Sequence, residues 1–183
     1  THLHETQTEI QDSVQQYGMR PLQRLQRLGM IGPGSVLAHG VHLEPAELET
    51  LAMLGAHIAH CPSSNLKLAS GIAPVASALR AGIRVGLGTD GAASNNRLDL
   101  WQEMRTAALL AKVADQNAEA VPARQALEMA TVHAAHALGL QDQIGTISVG
   151  KCADLVAVKL DGLDSLPCYD PISQLVYVAG REQ

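Results

Sequence analysis

Residues 85–96 read Val85-Gly86-Leu87-Gly88-Thr89-Asp90-Gly91-Ala92-Ala93-Ser94-Asn95-Asn96, and this stretch decides how the rest of the chain is interpreted. Its apolar start predicts a short buried strand, which delivers the carboxylate of Asp90 at the strand's end. The small and glycine-rich residues that follow predict a loop whose backbone can approach a ligand closely. In folds of alternating strands and helices, catalytic groups lie just after the carboxyl ends of strands. Asp90 is therefore the first candidate for a catalytic side chain.

Three earlier apolar runs, at residues 1–5, 36–39 and 58–62, also end in polar side chains, and each contains histidine. Further strands are expected at 35–39, 56–60 and 84–89, with residues 1–5 as the end of a strand and 61–65 as a loop. Helical periodicity is expected at 9–28 with a break at Pro21, and at 45–54, 74–81, 98–113 and 122–138. This repeat predicts an α/β fold with parallel strands and helical crossovers. The histidines and Asp90 are thus expected to meet at one edge of the sheet.

The pattern changes near residue 140. Residues 145–158 predict a tight turn and a strand, and residues 174–178 predict a second strand, so a small β part follows the repeating part. Four strand–helix units are half of an eight-unit barrel, which needs about 250 residues. We therefore expect a fragment that continues before Thr1, which is not a methionine. A complete open sheet of four or five strands is the alternative.

Composition excludes several classes of protein. The net charge of −5 and the lack of lysine or arginine runs argue against nucleic-acid binding. No apolar stretch approaches the roughly 20 residues needed to span a bilayer, and no signal peptide is visible. The irregular spacing of Cys61, Cys152 and Cys168 predicts free thiols and a cytoplasmic location.

Five residues could carry chemistry. His2 and Glu5 form a His-x-x-Glu pair, in which the imidazole could ligate a metal and the carboxylate could shuttle protons. His39 closes an apolar strand and is either a functional imidazole or a buried core histidine. Asp90 is either a metal ligand or the cap of the following turn, and Ser94 is either a capping residue or a donor to substrate.

The other titratable residues are interpreted more simply. His4 is expected to be structural, His42 to lie in a loop, and His60 to be a better site candidate than His57, although a structural role is favoured for both. His133 and His136 are expected to pack on a helix. Solvated helix faces are expected for Glu103, Arg105, Arg124 and Glu128.

The combination of imidazoles and carboxylates is typical of metal-assisted hydrolysis. A divalent ion can lower the pKa of a bound water from 15.7 to about 7. An adjacent carboxylate can then carry the proton to a leaving nitrogen, while a second imidazole steadies the hydroxide or a developing oxyanion.

Five ordered motifs together resemble the amidohydrolase superfamily: His2-Leu3-His4-Glu5-Thr6, Ala38-His39-Gly40-Val41-His42-Leu43, His60-Cys61-Pro62-Ser63-Ser64-Asn65-Leu66-Lys67-Leu68, Gly71-Ile72-Ala73-Pro74 and Gly88-Thr89-Asp90-Gly91-Ala92-Ala93-Ser94-Asn95-Asn96. Within it they look most like the 5′-methylthioadenosine/S-adenosylhomocysteine deaminases of the chlorohydrolase-like branch. The match continues through residues 145–147 and 153–156 to 170–171.

The resemblance implies a fold and a set of roles. Residues 1–140 would be the C-terminal half, strands five to eight, of a distorted (β/α)8 TIM-like barrel, and 141–183 part of a small β-sandwich domain. His2 matches a metal ligand, Glu5 the proton shuttle and His39 the imidazole near the metal-bound water. Asp90 matches a second metal ligand and base, and Ser94 a substrate contact alongside Glu5 and Asp90. Zinc is the expected metal, one per site, with Fe²⁺ or Mn²⁺ as alternatives.

The implied reaction is hydrolytic deamination of methylthioadenosine or S-adenosylhomocysteine by metal-bound hydroxide, which gives an inosine-type product and ammonia. Alternatives are an amidohydrolase acting on a triazine or a free base, such as a chlorohydrolase or a guanine or cytosine deaminase, and a metal-free binding or structural homologue. The family's His-x-His pair of strand one is absent, since the Glu5-Thr6 context places His2-Leu3-His4 at strand five. The N-terminal half of the barrel is therefore the expected partner, and a homo-oligomer stays open.

Overall fold

A computed structural model describes residues 1–181, and in that range four strands form one parallel sheet in the order of the sequence. The strands are β1 (His2–Leu3), β2 (Val36–His39), β3 (His57–His60) and β4 (Val85–Leu87). Leu3 lies opposite His39, and His60 lies opposite Leu87, so the carboxyl ends of all four strands meet at one edge. The predicted parallel sheet is confirmed.

Helices connect and cover these strands. They are α1 (Gln7–Tyr17), α2 (Pro21–Arg27), α3 (Pro45–Leu54), α4 (Pro62–Lys67), α5 (Val75–Arg80), α6 (Leu100–Ala114), α7 (Ala123–Ala130), α8 (Val132–Ala137) and α9 (Pro171–Tyr177). The break expected at Pro21 and the bounds expected for α3 are confirmed. Helix α1 begins where the Thr6 hydroxyl accepts a hydrogen bond from the Glu9 amide, and it ends at Gly18 with a positive φ of 69°.

The core lies between the sheet and the helices. Each strand contributes one aliphatic side chain to it, and the helices contribute mainly alanine and methionine: Leu3, Leu37, Ile58, Val85, Met104, Ala107, Ala108, Ala111, Ala126 and Met129. Phenylalanine is absent from the chain, so small side chains must let the helices approach the sheet closely. A Cβ on Gly86 would lie 3.1 Å from the Cα of Ala134, which shows how tightly β4 packs on α8.

Four local predictions are wrong, and three of them concern helices. Residues 62–67 form helix α4 instead of a loop, since Pro62 at the first helical position favours a helix start. The single helix expected at 122–138 is two, because the backbone of Thr131, at φ −128° and ψ −85°, interrupts it. The strand expected at 174–178 is helix α9, because the Asp170 carboxylate caps it by accepting hydrogen bonds from the amides of Ile172 and Ser173.

The part of the chain after α8 differs from the expected β part. Residues 152–161, where a strand was expected at 155–158, have no regular secondary structure, and Val156 is exposed. The side chains of Cys61, Cys152 and Cys168 are free thiols, as predicted. Across residues 1–181, the helices are too short or too polar to span a membrane.

Candidate active site

Three predicted site residues converge at the carboxyl edge of β1 and β2. His2, Glu5 and His39 each offer one donor atom, and these atoms all lie within 4.8 Å of one another. The Nε2 atom of His39 is 3.7 Å from a carboxylate oxygen of Glu5, and the rings of His2 and His39 stack with centroids 5.1 Å apart. Within residues 1–181 this is the one group of three or more such side chains that could hold a metal ion.

The orientation of His39 is set by Asn65 of α4. Nδ1 of His39 lies 2.8 Å from Oδ1 of Asn65, so Nδ1 carries the proton and donates it to the amide oxygen. This tautomer leaves a lone pair on Nε2, which is buried and has no hydrogen-bond partner. A buried nitrogen acceptor facing a carboxylate fits a water or a metal ion placed between them.

The backbone before α1 positions Glu5. The Glu9 carboxylate accepts hydrogen bonds from the amides of His4 at 3.0 Å and Glu5 at 2.8 Å. These two bonds fix the turn that follows β1, so that the partly exposed Glu5 side chain reaches His39. Sequence reasoning missed Glu9, although an acidic residue in the first turn of a helix was a signal that could have found it.

His4 faces away from this group, as predicted. Its side chain is fully buried, its Nε2 accepts a hydrogen bond from the Leu22 amide at 3.3 Å, and its Nδ1 is 3.4 Å from the Glu47 carboxylate. Arg20 binds the same carboxylate through two nitrogens, at 2.8 and 2.9 Å. Burial opposes ionisation of Glu47, but the hydrogen bonds from His4 and Arg20 outweigh it and lower the pKa of Glu47 to about 2.

Asp90 lies at the same edge of the sheet, beyond β4, but it is not a member of the converging group. Its exposed carboxylate accepts hydrogen bonds from the hydroxyls of Ser94 at 2.6 Å and Ser64 at 2.7 Å. These bonds outweigh partial burial and lower the pKa of Asp90 below its ordinary value. The joint ligation of one ion by His2 and Asp90 stays a prediction.

The side chains of Ser94 and Ser64 both contact the Asp90 carboxylate. Ser94 is almost fully buried, and its hydroxyl also lies 3.2 Å from the Gly91 carbonyl, so the structure gives it a role beside Asp90. Its contact with substrate stays a prediction. Ser64 and Asn65 were missed as site residues, although both lie in the Ser-Ser-Asn run that follows β3.

The remaining histidines lie outside the converging group. His60 is buried, and burial lowers the pKa of His60 to about 4, so it is neutral near pH 7. His57 begins β3, at the opposite end of the strand from His60. Burial also lowers the pKa values of His57 and His136. His133 and His136 both lie on α8, as predicted.

Glu103 contradicts its sequence interpretation. It was expected on a solvated helix face, but its side chain has no exposed surface. Its position in the first turn of α6 directs it beneath the segments that follow β3 and β4. There its carboxylate accepts hydrogen bonds from the Ser63 amide at 3.0 Å and from Nδ2 of Asn95 at 2.7 Å.

Comparison with known proteins agrees with this geometry. The model of the amidohydrolase family matches residues 1–182. The chain is 49% identical over 179 residues to the 5-methylthioadenosine/S-adenosylhomocysteine deaminase of Teredinibacter turnerae, covering 96% of this chain and 40% of that protein. The chain therefore spans about two fifths of the length of the curated relatives it matches.

Solved structures give the same result. An adenosine deaminase from Xanthomonas campestris with bound zinc superimposes with a TM-score of 0.98 at 49% identity, over 100% of this chain and 42% of that chain. An atrazine chlorohydrolase from Arthrobacter aurescens complexed with zinc superimposes with a TM-score of 0.90 at 36% identity, over 98% of this chain and 40% of that chain.

Proposed function

Since the chain belongs to the amidohydrolase family, we propose that it is the C-terminal part of a zinc-dependent deaminase of adenosine-type nucleosides. The substrates would be methylthioadenosine and S-adenosylhomocysteine. The observation that carries the proposal is the convergence of His2, Glu5 and His39 at the carboxyl edge of the sheet. The deaminase relative at 49% identity favours this substrate class over others in the family.

The donor set fits zinc. Imidazole nitrogens and carboxylate oxygens are ordinary zinc ligands, and the buried Nε2 of His39 has no hydrogen-bond partner within the described residues. His2 and Asp90 would hold the ion together with residues of the N-terminal half of the barrel. When bound, zinc lowers the pKa of a water molecule towards 7 and so supplies a nucleophile near neutral pH.

The residues of this chain would then move the proton. Water attacks the adenine carbon that bears the amino group, and the bond from that carbon to nitrogen breaks as ammonia leaves. Glu5 lies beside His39 and would transfer a proton from the attacking water to the leaving nitrogen. Nε2 of His39 is an acceptor and would orient an O–H bond of the water, while ionised Asp90 would act as a base.

Location and organisation follow the same proposal. The three free thiols support a cytoplasmic location. Residues 1–140 would be half of the barrel. Residues 141–183, of which 182 and 183 lie outside the described residues, would belong to a β-sandwich domain whose strands form only together with the N-terminal part, since the described residues after α8 contain no strand. Exposed apolar side chains in the second region, among them Val149, Leu163 and Tyr169, support contact with the N-terminal part of the protein.

A triazine substrate is the second candidate, favoured by the likeness to the atrazine chlorohydrolase at 36% identity. The test is ammonia release by the complete, zinc-loaded protein from methylthioadenosine, S-adenosylhomocysteine, guanine and cytosine, beside chloride release from a chlorotriazine. Turnover of the two nucleosides is expected. Inactivity on them with zinc bound would contradict the proposal and favour whichever other substrate is turned over. A purified protein that holds no metal and turns over nothing would instead identify a metal-free homologue.

A further inference from the structure

Glu103 is a buried carboxylate that the proposed reaction does not use. It lies in the first turn of α6 and has no exposed surface. Burying a carboxylate is costly unless its oxygens are satisfied, and here each oxygen accepts one N–H group. One oxygen receives the Ser63 amide and the other receives Nδ2 of Asn95.

The two donors belong to different segments of the site. Ser63 lies in α4, and Asn95 lies in the aspartate loop, which we define as residues 88–98. We call the pair of hydrogen bonds from these donors to Glu103 the carboxylate bridge. Through Glu103 of α6, it joins α4, which follows β3, to the aspartate loop, which follows β4.

Both segments hold proposed catalytic groups through residues next to the bridge. In α4, Ser64 donates to Asp90 and Asn65 accepts from His39, and both directly follow Ser63. In the aspartate loop, Ser94 donates to Asp90 and directly precedes Asn95. The two donors to Glu103 are therefore one or two residues away in sequence from Ser64, Asn65 and Ser94, the side chains that orient Asp90 and Nδ1 of His39.

We propose that Glu103 is a positioning residue, whose carboxylate bridge keeps α4 and the aspartate loop in one arrangement so that His39 and Asp90 are correctly placed. Its catalytic consequence rests on the proposed deaminase function, whereas the coupling of the two segments does not. An exposed second connection, from Nζ of Lys67 to the carbonyl of Ala93 at 2.7 Å and to Oδ1 of Asn96 at 2.6 Å, joins the same segments at the surface. Because water competes for exposed charges, the buried bridge is expected to dominate.

The chemistry of the bridge requires a carboxylate. Both oxygens face N–H donors, so a glutamine would turn an NH₂ group towards one of them and lose that bond. Loss of a buried hydrogen bond to a charged group changes an equilibrium about 10- to 100-fold. Glu103→Gln keeps the volume of the side chain and so isolates this effect from a cavity.

The first measurement is amide hydrogen exchange of the complete protein, which does not depend on activity. In Glu103→Gln, exchange should accelerate about 10- to 100-fold in both residues 61–67 and the aspartate loop, with the later turns of α6 unchanged. Glu128→Gln, the same substitution on α7, and Lys67→Met should leave both segments protected. Acceleration confined to Ser63, or spread evenly over the whole protein, would overturn the proposal.

The second measurement is steady-state kinetics with zinc content determined for each variant. Glu103→Gln should lower kcat about 10- to 100-fold with KM within about twofold and zinc content unchanged. Unchanged kcat in a variant that has lost protection would overturn the positioning role. If the wild-type protein turns over no nucleoside but both segments still lose protection together, the deaminase assignment fails and the coupling stands.

A second variant covers the case in which Glu103→Gln does not fold. Asn95→Ala breaks the bridge at the aspartate loop and leaves the Ser63 bond intact, and it also removes the bonds of Asn95 to the Thr89 carbonyl and the Leu98 amide within the loop. It should accelerate exchange in the loop and also in α4, because loss of either bridge bond uncouples the two segments, and it should lower kcat at least as much as Glu103→Gln. Where both single variants fold, the double variant should lose little more kcat than Asn95→Ala alone, because Glu103→Gln then acts on a bridge that is already broken. Losses that multiply would contradict the proposal.

Discussion

Glu47→Gln tests the network that supports the turn carrying Glu5. The substitution removes the charge that Arg20 binds through two nitrogens and that His4 approaches at 3.4 Å. The pKa of Glu47 falls from its ordinary value of 4.5 to about 2, and at 1.36 kcal/mol per pKa unit this corresponds to about 3 kcal/mol. Because Glu47 is partly exposed and solvent screens the pair, we expect a loss of about 1–2 kcal/mol in the free energy of unfolding.

The pH dependence gives a sharper signature than the size of the loss. A carboxyl whose pKa is lowered by folding stabilises the protein above its unfolded pKa, and this stabilisation is lost as pH falls through the folded pKa. The difference between wild type and Glu47→Gln should therefore be full at pH 7 and shrink between pH 4.5 and about 2.

Urea unfolding of the complete protein at pH 7, 5, 4 and 3 measures this difference. Glu49→Gln is the matched control, because Glu49 is an exposed glutamate on the same helix. Equal midpoints for the two variants at pH 7 would refute the reasoning. So would a Glu47→Gln deficit that stays constant down to pH 3, since it could not then come from the ionised carboxylate.

Three further predictions concern the site itself. Asp90→Asn should lower turnover about 100- to 10,000-fold in a steady-state ammonia assay, because the amide cannot act as a base. His133→Ala on α8 should change turnover little. The reverse pattern would mean that the site is misplaced. Asn65→Ala should lower kcat/KM about tenfold by freeing Nδ1 of His39, and an unchanged value would show that the hydrogen bond does not orient the ring. Removal of metal by a chelator should abolish turnover and added zinc should restore it; full activity at a measured metal content near zero would contradict a zinc enzyme.

Much of the sheet was predictable because its signals are local. Short aliphatic runs between turn residues define β2, β3 and β4, and strands that alternate with helices must run parallel. Once the strands are parallel, their carboxyl ends share an edge, which brings His2, Glu5 and His39 together in the prediction. The order of the strands and helices along the chain was therefore sufficient to predict that these three residues converge.

The burial of Glu103 was missed for a different physical reason, because its partners are distant in sequence. Glu103 has the spacing of a surface residue, but it is buried because helix α4 and the aspartate loop cover the first turn of α6. Its donor Ser63 is 40 positions away, and no periodicity within α6 signals that contact. The strand expected at 174–178 was wrong for a local reason. Asp170 before Pro171 is a helix-capping signal, and it outweighs the strand preference of the residues that follow, so the segment forms helix α9.

The backbone is strained at three positions along this edge. His4, His39 and Asp90 have positive φ values of 51°, 73° and 58°, a left-handed conformation that side chains with a Cβ rarely adopt. Each such residue costs about 1–3 kcal/mol unless its surroundings hold it in place. Each of the three lies at or just after the carboxyl end of a strand, and each has a side chain held by named partners. Ala69, Leu98, Gln116 and Val121 also have positive φ, so this conformation by itself does not mark function. At His39 and Asp90, however, glycine would remove a side chain whose hydrogen-bond partners belong to the site, which favours a functional requirement for both side chains. The buried hydrogen bonds of His4 fit a structural role instead.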